Sequence, residues 1–122
     1  MPDYKAPVRD IRFVINEVLE SEKLYQTLPG FGEATEELMN AIIDEGARCA
    51  ENVIAPLNRS GDEEGCHWSE EGVRTPAGFK EAYRQFVENG WNGIGCEPDF
   101  GGQGMPKVVV AAVQEMWKAS NM

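Results

Sequence analysis

The run Gly90-Trp91-Asn92-Gly93-Ile94-Gly95-Cys96-Glu97-Pro98-Asp99-Phe100-Gly101-Gly102-Gln103-Gly104-Met105-Pro106 holds six of the thirteen glycines of this 122-residue sequence. Glycine loses the most conformational freedom on folding, so a cluster is tolerated where backbone turns with positive φ or approaches something closely. Trp91, Ile94 and Phe100 sit among these glycines. The mixture predicts a shaped loop pinned by apolar anchors rather than a flexible spacer. At this level two readings stay open, a structural turn packed by its aromatics and a loop that holds a ligand. A dinucleotide-type phosphate cradle is disfavoured. Both Gly93-Ile94-Gly95-Cys96-Glu97-Pro98 and Gly102-Gln103-Gly104-Met105-Pro106-Lys107 lack the last glycine of GxGxxG, and neither follows a clear strand.

On the C-terminal side, Pro106 opens the segment Lys107-Val108-Val109-Val110-Ala111-Ala112-Val113-Gln114-Glu115-Met116-Trp117. Three consecutive valines suit a strand, but the proline start and the Ala-Ala-Val-Gln-Glu-Met continuation predict a helix over 106–119. On the N-terminal side, Thr75-Pro76 reads as a cap followed by proline at the first helical position. Phe79, Tyr83, Phe86 and Val87 line one face, and Asn89-Gly90 supplies a left-handed stop, giving a helix over 76–89. Thr35 caps another helix over 35–55, with Glu36 and Glu37 in its first turn. Its apolar face runs through Met39, Ile42, Ile43, Ala50, Val53, Ile54 and Leu57, and Pro56 closes it. Gly46 on the same side suggests close packing against another helix. Ile11, Val14, Ile15, Val18 and Leu19 fit a short helix over 9–20, with Asp10 as its cap. Ser21 to Gly32 reads as a connector and Asn58 to Thr75 as a polar, acidic loop, with a small hairpin around Ser69-Glu70-Glu71-Gly72. The fold class expected is therefore all-α, a layer of helices with one glycine-rich corner.

Composition bounds the function. A 42% hydrophobic content with five Phe, three Tyr and three Trp argues for a globular chain. The net charge of −10 disfavours nucleic acid, which needs clustered Lys and Arg. No stretch approaches the roughly 18 apolar residues of a membrane span, and Met1-Pro2-Asp3-Tyr4-Lys5 lacks a signal-peptide core. A cytoplasmic location is expected. Cys49, Cys66 and Cys96 form no CxxC pair and read as reduced thiols. With His67 the single histidine and adjacent to Cys66, no spaced ligand set for zinc is present. Cys96 lacks a nearby base in sequence, and the neighbouring carboxylates Glu36/Glu37, Glu63/Glu64 and Glu70/Glu71 point different ways as a solvated surface. Glu115 beside the last apolar face reads as an exposed helical residue. Chemistry alone reveals no catalytic machine.

As a pattern the loop says more. Gly90-Trp91 and Ile94, followed by Glu97-Pro98-Asp99-Phe100-Gly101-Gly102-Gln103-Gly104-Met105-Pro106, resembles the N-terminal helical domain of the acyl-CoA dehydrogenases. There a helix ends in Gly-Trp and a PE(Y/F)GGxG loop leads into the next helix; here the order is Glu97-Pro98 with Asp99 following. Val53-Ile54-Ala55-Pro56-Leu57-Asn58 resembles the exit of the family's first long helix. Tyr4 to Glu17 resembles a short extension ahead of that domain in a bacterial branch associated with 3-methylmercaptopropionyl-CoA and related acyl-CoAs. The resemblance implies an extension over 1–32, a helical domain over 33–122, and a middle β-domain and C-terminal helical domain outside this sequence.

It also implies an activity. Family members use FAD to oxidise the α,β bond of an acyl-CoA thioester, with a glutamate base in the C-terminal domain and most flavin contacts in the middle domain and partner subunit. No catalytic, FAD-binding or metal residue is thereby assigned to this chain, and no cofactor is expected on it alone. By position, Val110, Val113, Gln114 and Trp117 are expected to approach the acyl tail. Partners implied are the acyl-CoA substrate, the other two domains and further copies in a homo-oligomer. A free-standing acidic helical module that binds a partner is the alternative.

Overall fold

The computed structural model describes residues 3–122. Helix α1 (Val8–Arg12) widens into a π-helical stretch, Phe13–Val18, and α2 (Ser21–Gln26) follows. Helix α3 (Glu36–Cys49) continues through π-helical Ala50–Ile54 and a 3₁₀ turn, Ala55–Leu57, into α4 (Asn58–Glu64). A hairpin of β1 (His67–Ser69) and β2 (Gly72–Arg74) pairs Trp68 with Val73. Helix α5 (Phe79–Glu88), 3₁₀ turns at Trp91–Gly93 and Pro98–Phe100, and α6 (Lys107–Ser120) complete the chain. The all-α class holds, with the hairpin as the one sheet among the described residues.

The core is the crossing of α3 and α6. Met39, Ile43, Ala47 and Ala50 meet Val109, Ala112, Val113 and Met116, with Ile15 and Ile94 at the edges. Each large side chain fully buried there contributes about 1.5–3 kcal/mol over its exposed state. Gly46 sets the approach: a Cβ on it would lie 2.7 Å from Val113 Cγ1. Two side chains of α6 or just beyond it also grip the backbone of α3 and its π-helical continuation. Trp117 Nε1 donates to the Gly46 carbonyl at 3.3 Å, and Asn121 Nδ2 donates to the Ile54 carbonyl at 3.1 Å. The second bond satisfies a carbonyl where the helix has widened.

A polar seam fixes the N-terminal segment antiparallel on α3. The Ala6 amide and Lys5 Nζ donate to the two oxygens of Glu51, at 2.9 and 3.2 Å. Farther toward the start of α3, Arg12 pairs with Asp44, and beyond it Asn16 Nδ2 donates to Asn40 Oδ1 at 3.0 Å. The Ala6 amide is the largest influence holding the Glu51 carboxyl below the usual carboxylate range, and Lys5 adds to it. A lowered native pKa stabilises the fold above the unfolded carboxylate range, and that contribution is lost as pH falls through the native value. Exchange of the Ala6 amide in acid is therefore expected to quicken ahead of the α3 amides. Glu51→Gln should show fast Ala6 exchange at neutral pH as well.

Four expectations need correction. Residues 21–26 form α2 rather than connector, and 58–64 form α4 rather than polar loop, Pro56 lying in a 3₁₀ turn that the chain passes through. Both short helices are held by what they pack on, which periodicity cannot reveal. Helix α5 starts at Phe79, because Gly78 adopts φ +87° and the Ala77 amide donates to Glu64 instead. Asp10 lies within the first turn of α1 and makes no cap. The Thr35 cap does form, its hydroxyl accepting from the Leu38 amide at 3.2 Å.

Candidate functional site

The glycine corner is closed by its own backbone. The Gln103 amide donates to the Gly93 carbonyl at 3.0 Å, Gly104 to Cys96 at 2.8 Å and Met105 to Ile94 at 2.9 Å. The Gln103 side chain adds a bond from Nε2 to the Gly90 carbonyl at 3.0 Å. Glycines at 90, 101 and 104 take positive φ, where other residues are strained. Ile94 is buried and anchors the corner, Trp91 is half-buried, and Phe100 stands exposed. Trp91 is the first of a row of rings. Trp117 meets Trp91 edge-on at 5.2 Å and Phe86 at 4.8 Å, and Phe86 stacks with Tyr83 at 6.5 Å.

The corner sets the start of α6, and a cavity of about 650 Å³ opens beside it. Phe31, Ala34 and Leu38 form one side, Pro98, Met105 and Pro106 the other, with Glu33, Glu97 and Lys107 also lining it. A second cavity of about 540 Å³ lies between α3 and α5, with Cys49, Asn52, Asn89 and Trp91 in its lining. A third, about 360 Å³, is an apolar groove floored by Leu57, Phe79, Phe86 and Trp117. Burial pushes the Cys49 thiol up, so it stays protonated at neutral pH and is a poor nucleophile. Cys66 and Cys96 are free and exposed, and the His67 ring Nε2 hydrogen-bonds with the Glu64 carbonyl, at 3.0 Å. Among the described residues no group of three His, Cys, Asp or Glu side chains is placed to hold a metal.

The four positions expected to face an acyl tail lie on α6 but reach different surroundings. Val113 is fully buried against α3, and Val110 is half-buried over Gly95, where a Cβ would come within 2.8 Å of it. Trp117 closes the apolar groove, and Gln114 faces out. None of them lines the cavity beside the corner. The bond from Gln103 to Gly90 spans the corner and leaves no spacing signal in the sequence.

No protein-family model matches the chain. Over 119 residues, 98% of its length, it is 37% identical to 3-methylmercaptopropionyl-CoA dehydrogenase of Ruegeria pomeroyi. The chain is similar to part of an acyl-CoA dehydrogenase. It is also 31% identical to the broad-specificity linear acyl-CoA dehydrogenase FadE5 of Mycobacterium tuberculosis, over 94% of the chain. Butyryl-CoA dehydrogenase of Syntrophomonas wolfei is 29% identical over 93% of it. The chain spans about a fifth of the length of these dehydrogenases, matching their N-terminal part. No helix among the described residues is long and apolar enough to cross a membrane.

Proposed function

We propose that this chain is the N-terminal helical part of a cytoplasmic, FAD-dependent acyl-CoA dehydrogenase, with residues 1–32 an extension and 33–122 the helical domain proper. The observation that carries the reading is the alignment with an acyl-CoA dehydrogenase along 98% of the chain. The relatives' names point to short or linear acyl-CoA thioesters as the substrate class, with α,β-dehydrogenation as the reaction.

The flavin does not fit the residues described. The cavity beside the corner is lined by two carboxylates, Glu33 and Glu97, and one cation, Lys107, a poor setting for a pyrophosphate. The helices lack the βαβ unit that cradles a dinucleotide. The flavin and the base therefore belong with the remainder of the relatives' length. This chain's contribution is to pack on that remainder and keep water from the acyl tail. Exposed apolar residues agree with packing of this kind: Phe13, Val18 and Leu19 near the N-terminus, and Tyr83 beside the apolar groove. A homo-oligomer is the proposed assembly.

Helix α6 supplies the wall, with Gln114 its outward position, Val110 half-buried beside it, and Val113 and Trp117 setting them from within. In the protein that carries this chain, Gln114→Leu is expected to raise kcat/KM for longer apolar acyl-CoAs over short ones by a few-fold. One methylene in an apolar pocket is worth about 1–3 kcal/mol, so a changed wall shifts the ranking visibly. An unchanged ranking across the chain-length series contradicts the wall.

A further inference from the structure

The described corner contains two Asn-Gly dipeptides, Asn89-Gly90 and Asn92-Gly93. In such a pair the backbone nitrogen of glycine can attack the asparagine side-chain carbonyl carbon. The C–N bond to the side-chain amide breaks, ammonia leaves, and a succinimide forms. Water then opens either carbonyl, giving aspartate or isoaspartate. Glycine favours the attack because no Cβ shields its nitrogen.

The fold treats the two pairs differently. The Gly90 amide donates to the Val87 carbonyl at 2.9 Å, closing the ten-residue helix α5. The Gly93 amide makes the same i→i−3 type of bond, to the Gly90 carbonyl at 3.2 Å, but within a lone 3₁₀ turn that has no helix behind it. Asn92 is exposed. Its turn is bracketed by one residue, Gln103, whose side chain bonds the carbonyl before it at Gly90 and whose amide bonds the carbonyl after it at Gly93. Opening of that bracket frees the Gly93 nitrogen while α5 stays closed.

We propose that Asn92 is a site of spontaneous deamidation in the folded protein, and that Gln103 is the clamp that sets its rate. Isoaspartate would lengthen the backbone just before Gly93, whose carbonyl accepts from both Cys96 and Gln103. The corner would loosen at the point that orients α6.

The test is incubation of the chain at mildly alkaline pH, followed by peptide mass mapping. The expected result is exchange of NH₂ for OH at Asn92 several-fold ahead of Asn89, with isoaspartate among the products. An unfolded chain converts the two identical dipeptides alike, so Asn89 is the internal control. Gln103→Ala should speed Asn92 several-fold and leave Asn89 unchanged. Equal rates, Asn89 leading, or no conversion at Asn92 while a free peptide spanning 90–95 converts would overturn the proposal.

Discussion

Gly102→Ala is expected to destabilise the chain by about 3 kcal/mol or more, near the upper end for single substitutions. The reason is what surrounds the missing Cβ. It would overlap the Cys96 carbonyl, a backbone group that already accepts from the Gly104 amide. A side chain could rotate aside, but this carbonyl can move only by breaking the corner. Gly101 is the control, since nothing lies within 4 Å of its Cβ and only its positive φ opposes alanine. About 1–2 kcal/mol is expected there. Chemical denaturation of both variants measures the difference, and near-equal losses would mean that the corner yields more easily than its hydrogen bonds indicate.

Ile43→Ala should cost about 2–5 kcal/mol, the range for removing a large aliphatic side chain from a close-packed core. Ile43 is fully buried on α3, facing α6. The crossing has little room to collapse, because Gly46 already brings Val113 against the α3 backbone. A fall in melting temperature on the order of 10 °C is expected. Leu24→Ala, at a position 56% exposed, is expected to stay within about 0.5 kcal/mol. A small effect at Ile43 would mean that α6 does not pack on α3 as described.

Those two positions differ in how far the sequence announces them. Ile43 lies on a 3.6-residue stripe with Met39 and Ala50, so α3 and its buried face are legible, as is α6 from its proline start. The corner is legible as a turn, from glycine density around Ile94. What is not legible depends on contacts between distant residues. Helices α2 and α4 are short and carry no clean stripe, so docking decides them. The start of α5 turned on Ala77 bonding Glu64, thirteen residues back. The seam of Glu51, Asp44 and Asn40 is likewise invisible, since each looks like an ordinary surface residue until α1 lies along α3.

The functional candidates divide in the same way. Helix periodicity puts Val110, Val113, Gln114 and Trp117 on one side of α6, but cannot say that Val113 is spent on the α3 interface and Gln114 is left outside. Nor does it show that Trp117 holds the Gly46 carbonyl. The loop resembles that of the acyl-CoA dehydrogenases, while its geometry makes it the brace that aims α6.

The role proposed for this chain is in acyl-CoA dehydrogenation. It is tested most directly by anaerobic titration of the protein that carries it with butyryl-CoA and 3-methylmercaptopropionyl-CoA, following the flavin absorbance. Bleaching of the oxidised flavin band by at least one of these thioesters is the expected result. A bound flavin that a chemical reductant bleaches but no acyl-CoA does, or a protein with no flavin at all, would contradict it.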